Sequence, residues 1–140
     1  MKGIVLLSHG PLAQGMVETT KWFMGEEIPQ YTCLCLEAGE SPEDFDVRLA
    51  EKIEEVNSGE GVILICDLMG GTPFNRAALT IGRGDIDVLT GMNLTLVLQL
   101  LGNRLSDDYD MAALEKTGKD GVVYANRVLA AAADYGDEDE

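Results

Sequence analysis

Four short apolar runs recur along the chain: residues 3–8 (GIVLLS), 31–36 (YTCLCL), 61–66 (GVILIC) and 85–89 (DIDVL). The first and third are continuous rather than alternating, which predicts strands covered on both faces. Helical spacing fills the intervals. Pro11 suits a first helical position, and Leu12, Met16, Thr19 and Phe23 then repeat at helical intervals until Gly25. Ser41-Pro42-Glu43-Asp44 joins a capping hydroxyl, a proline at N1 and carboxylates at the positive end of the helix dipole. The helix it opens runs toward Asn57 with Phe45, Leu49, Ile53 and Val56 on its apolar stripe. A third helix is expected from about Thr72-Pro73. Asn93 caps a fourth over residues 94–101, apolar almost all round and therefore expected to be buried. Beyond it the pattern predicts a helix at 110–116 and a strand at 121–125 (GVVYA), while 128–133 is ambiguous.

Strand–helix alternation of this kind predicts an α/β fold: an open, mostly parallel, doubly wound sheet with helices on both faces. Four strands in this span fit the flavodoxin-like strand order 2-1-3-4, which right-handed crossovers favour over most alternatives. One domain, residues 1–130, is expected, followed by an acidic tail at 131–140 that reads as solvated and disordered.

Charge narrows the partners. Ten basic against twenty-five acidic residues leave a net charge of −15, a field that repels nucleic acid and anionic lipid and attracts proteins with a basic face. No apolar run reaches the ~20 residues of a membrane span, and the start is too short for a signal peptide, so a cytoplasmic location is expected. Cys33, Cys35 and Cys66 are odd in number and lack a metal-binding partner set, which makes small buried hydrophobes of them rather than a disulfide framework or zinc site. Trp22 and Phe23, inside a helical stretch, read as core or interface.

In such a sheet, ligands bind beyond the carboxyl ends of strands 1 and 3. Topology therefore brings Ser8-His9-Gly10-Pro11, with the sole histidine, beside the loop that starts at Asp67. A carboxylate that binds one imidazole nitrogen fixes the tautomer and directs the other lone pair outward, as a nucleophile, a general base or a metal ligand requires. Gly70-Gly71-Thr72-Pro73 adds a diglycine, a hydroxyl and free N–H groups at a helix start, a suitable cradle for phosphate. Taken by itself, that loop is better explained by ordinary capping by Thr72. The usual nucleotide loops and the serine-hydrolase elbow are absent from the sequence. An anion cradle beside one oriented histidine points to phosphoryl transfer through a phosphohistidine, with no metal or cofactor implied.

Ser8-His9-Gly10, then residues 66–75 (CDLMGGTPFN), then Thr90-Gly91-Met92-Asn93 resemble, in order, the enzyme IIA domain of the mannose-family sugar phosphotransferase system. The resemblance implies that His9 accepts phosphate from phospho-HPr at Nε2 and passes it to a histidine of the cognate enzyme IIB. Asp67 would hold the Nδ1 proton, and Gly10, Gly70, Gly71 and Thr72 would surround the phosphoryl group. It also implies peripheral association with membrane permease subunits through partner proteins, and a homodimer exchanging a C-terminal antiparallel strand, for which 121–125 is the candidate. Gly10 favours this system over the dihydroxyacetone kinase phosphocarrier, whose typical motif is Ser-His-Ser. A regulatory module of the same fold that senses phosphorylation, and a flavin- or nucleotide-binding module, are the competing readings.

Overall fold

The computed structural model describes residues 1–138. Four strands, β1 (Gly3–His9), β2 (Tyr31–Leu36), β3 (Val62–Cys66) and β4 (Ile86–Leu89), form one sheet in the order β2-β1-β3-β4. Every pairing is parallel. Between and after them run α1 (Leu12–Met24), α2 (Pro42–Val56), α3 (Gly71–Ala78), α4 (Leu94–Arg104), α5 (Met111–Asp120) and α6 (Ala125–Glu138).

The period of two along each strand divides the core into two layers. Ile4, Leu6, Ile63 and Ile65 face α1, α4 and α5, meeting Ala13, Leu96, Val97, Leu100 and Leu114. Val5, Leu7, Val62, Leu64 and Cys66 face α2 and α3, meeting Phe45, Leu49, Val56 and Ala77. Burying each large side chain of this kind contributes about 1.5–3 kcal/mol, so both central strands are fixed from two sides and their carboxyl ends form a rigid platform.

Local chemistry explains several boundaries. Ser41 caps α2 by accepting the Asp44 N–H at 3.0 Å, with Pro42 at N1, and Asn93 caps α4 by accepting the Leu96 N–H at 2.8 Å. At the amino edge of the sheet, buried Arg104 donates to the carbonyls of Lys2, Pro29 and Gln30.

Four expectations change. The inward face of α1 carries Ala13, Met16, Val17, Thr20 and Met24, whereas Leu12, Trp22 and Phe23 are exposed. Small Ala13 lets the helix approach the sheet, and Thr20 is buried at no polar cost because its hydroxyl bonds Val17 O and Tyr31 Oη. Residues 122–124 form no strand, and at Ala125 the chain enters α6. The strand expected at 121–125 is thus absent from this sheet: its apolar side chains point to solvent, with no neighbouring strand to share a ladder. Helix α6 continues through the segment read as an acidic tail as far as Glu138, and residues 139–140 lie outside the described part. Of the cysteines, Cys66 is buried, but Cys33 and Cys35, on the edge strand, are only half-buried.

Candidate functional site

Strand β1 ends at His9, and a tight turn leads into α1. Gly10 makes that turn with φ +60°, a conformation disfavoured for any residue bearing a Cβ. Strand β3 ends one residue before Asp67, whose own N–H donates to Leu7 O at 3.0 Å. The sheet register thus sets His9 and Asp67 side by side, although 58 positions separate them in the chain.

Asp67 Oδ2 accepts two hydrogen bonds from His9: the backbone N–H at 2.8 Å and ring Nδ1 at 2.9 Å. Oδ1 accepts the Leu68 N–H at 2.9 Å. Burial pushes the Asp67 carboxyl up, but these bonds from His9 and Leu68 outweigh it and hold the group below its ordinary value. An ionised carboxylate only accepts, so Nδ1 carries a proton, and in the neutral ring the lone pair therefore falls on Nε2. The Asp67 side chain is 8% exposed and that of His9 43%. The carboxylate is therefore sheltered while the ring stays open to a reactant.

Nε2 faces the start of α3. A Cβ built on Gly71 would lie 2.5 Å from Nε2, closer than any side chain tolerates, and Gly71 sits at φ +76°. Glycine is thus required here on two counts. Gly70 occupies the N-cap position of α3, and no side chain caps the helix. Thr72 is therefore not the cap, as one reading of the sequence has it. It is the second helical residue, with its hydroxyl free of capping duty. Its N–H and that of Gly71 lie in the first turn, where no intrahelical acceptor exists. Gly10 stands apart in one respect: its N–H is committed to Leu36 O at 3.0 Å. It shapes the turn but has no donor to offer an anion.

Two roles were not visible in the sequence. Ser8 is buried and bonds both Gly10 and Ala13. The Thr90–Asn93 stretch braces the platform, since Met92 N–H donates to Cys66 O and Asn93 Nδ2 to Gly118 O. Leu68 and Met69, 51% and 76% exposed, lie beside the site. Among the described residues no group of three or more His, Cys, Asp or Glu gathers to hold a metal. A groove lined by Leu49, Ile53, Arg76, Leu79 and Ile86 shares no residue with the site. Among the described residues no helix is long and apolar enough to cross a membrane.

A proton fixed on one ring nitrogen, a directed lone pair on the other and unpaired N–H groups beside it together suit nucleophilic capture of a phosphoryl group. Comparison with known proteins gives the family. The family described as "PTS system fructose IIA component" matches residues 3–117. The sorbose-specific EIIA component of Klebsiella pneumoniae is 30% identical over 101 residues, covering 71% of this chain and 73% of that protein. The mannose-specific EIIAB component of Escherichia coli K12 is 26% identical over 123 residues. That match takes in 85% of this chain but only 38% of the longer relative. Among solved structures, the PTS IIA protein associated with the fucose utilization operon of Streptococcus pneumoniae superposes with a TM-score of 0.82 at 25% identity. It covers 91% of this chain and 96% of its own. The chain belongs to the mannose-family enzyme IIA components of the sugar phosphotransferase system.

Proposed function

We propose that the protein is a phosphocarrier in which His9 Nε2 accepts a phosphoryl group from phospho-HPr and passes it to a histidine of the cognate enzyme IIB. The lone pair on Nε2 attacks phosphorus as the P–N bond of the donor phosphohistidine breaks, and the donor ring leaves with that electron pair. Nδ1 keeps its proton throughout. The positive charge that develops on the ring is balanced by the Asp67 carboxylate, which needs no reorganisation because it is already hydrogen-bonded in place. The N–H groups of Gly71 and Thr72, the Thr72 hydroxyl and the flexible Gly70 receive the phosphoryl oxygens, while Gly10 keeps the approach clear. The protein works as a cytoplasmic homodimer beside the membrane permease subunits, joined through the segment at 121–125.

The observation that carries this reading is the Nδ1–Asp67 bond at 2.9 Å with Nε2 turned toward Gly71. Incubation with phospho-HPr is expected to give an acid-labile, base-stable adduct that His9→Ala abolishes and that a cognate enzyme IIB discharges. An unmodified wild-type protein under these conditions would overturn the proposal.

A further inference from the structure

We infer that Ser8 is the positioning residue of this site, the hydroxyl that sets the turn aiming His9 at Asp67 and Nε2 at Gly71. The inference rests on the phosphocarrier reading for its kinetic consequence, but its geometric content stands apart from that reading.

Ser8 lies in β1 opposite Cys35 and is completely buried. Its Oγ donates to Gly10 O at 2.8 Å and accepts the Ala13 N–H at 2.8 Å. The one other partner in reach among the described residues, Cys35 Sγ, lies 3.9 Å away and is a weak acceptor, so the single hydroxyl proton goes to Gly10. Helix α1 has Pro11 at its N-cap position, and no side chain there caps it. Ser8 does this from outside the helix, reaching forward five residues to a first-turn donor.

The result is a turn closed on every side. Gly10 N–H is held by Leu36 O, Gly10 C=O by Ser8, and the N–H of His9 by Asp67 Oδ2. One carboxylate oxygen serves both the backbone and the ring of His9, so the two bonds coexist only at one backbone geometry. Without the Ser8 hydroxyl, Gly10 C=O is free to rotate. The backbone bond then survives while the ring swings away from Asp67, and the tautomer is no longer fixed. A merely structural Ser8 would lower stability without changing which ring nitrogen carries the proton.

The test uses the full chain as wild type, Ser8→Ala and Ser8→Thr. Nitrogen-15 NMR reads the His9 tautomer, thermal melting checks the fold, and uptake from phospho-HPr at varied donor concentration separates kcat from KM. Wild type and Ser8→Thr are expected to hold the Nδ1–H form. Ser8→Ala is expected to lose it in part, with kcat lowered roughly 10- to 100-fold and KM little changed. A folded Ser8→Ala with the wild-type tautomer and kcat overturns the inference. Should Ser8→Ala fail to fold, Ser8→Cys fills the same space with a weaker donor and carries the same expectations, and wild-type behaviour there also overturns it. If wild type takes up no phosphate, the phosphocarrier reading falls, and the tautomer measurement still decides the role of Ser8.

Discussion

The turn from β1 into α1 and the segment that follows α5 both interrupt regular structure, and they resolve the interruption in opposite ways. In the first, the polar groups around His9 close on partners within the chain: Leu36, Ser8 and Asp67. In the second, residues 122–124 pair with no strand, and Val122 and Tyr124 are 80% and 65% exposed. Val128 and Leu129 of α6 are exposed as well. A β-branched run of this length is costly to leave in water and belongs under a covering surface. The first region is therefore complete as a single chain. The second is the natural place for the contact between copies that the proposed dimer needs.

The largest effect should come from breaking the first region. Gly71→Ala drives a Cβ to 2.5 Å from Nε2 at a φ unfavourable to alanine, so phosphoryl uptake is expected to fall roughly 100-fold. Far-UV circular dichroism and uptake kinetics on the same sample check it, and near-wild-type kinetics would contradict the role given to Gly71. Next comes the second region. Val123→Asp places a charge in the apolar run and is expected to weaken self-association at least tenfold, read by sedimentation at low concentration, while the melting curve of the monomer is unchanged.

A smaller effect concerns acid. The Asp67 carboxyl is held below its ordinary value of 3.8, so its hydrogen bonds stabilise the fold above that pH and are lost as pH falls through the lower, folded value. Wild type should lose stability in acid more steeply than Asp67→Asn, as acid titration of the melting temperature would show. The smallest effect lies outside both regions and gives a baseline for an ordinary buried hydrogen bond. Burial raises the Tyr31 hydroxyl from 10.0 to about 12, and that hydroxyl bonds Thr20 at 2.9 Å. Its contribution is complete below pH 10 and is lost as pH rises toward 12. Tyr31→Phe is expected to cost about 1 kcal/mol at neutral pH and to flatten this alkaline slope in melting experiments.

What was legible in the sequence follows the same division. The Ser41-Pro42 cap, strand β2 and the meeting of His9 with Asp67 all depend on chemistry within a few residues or on handed connections, and each was read correctly. The inward face of α1 was misread because its buried positions include Ala13 and Thr20, one small and one polar. Their burial depends on helix–sheet distance and on a bond to Tyr31, neither of which hydrophobic periodicity registers. A hydroxyl at Thr72 suits a cap in the sequence, but α3 begins one residue earlier, at Gly71, and Gly70 takes the N-cap position. The run at 121–125 has strand composition without a strand, since a strand exists only where a neighbour supplies the other half of its ladder.

The two rims of the sheet have different mechanical lives. At the rim opposite His9, one guanidinium grips three carbonyls from the two neighbouring segments that feed β1 and β2, and burial lowers its affinity for its proton without removing the charge. The grip acts as a rivet: strands fastened at one end leave loop adjustments on docking to the other. Slow amide exchange is expected at Ile4, whose N–H is held by Gln30 O, and fast exchange at exposed Met69, so the molecule should flex like a hand held at the wrist.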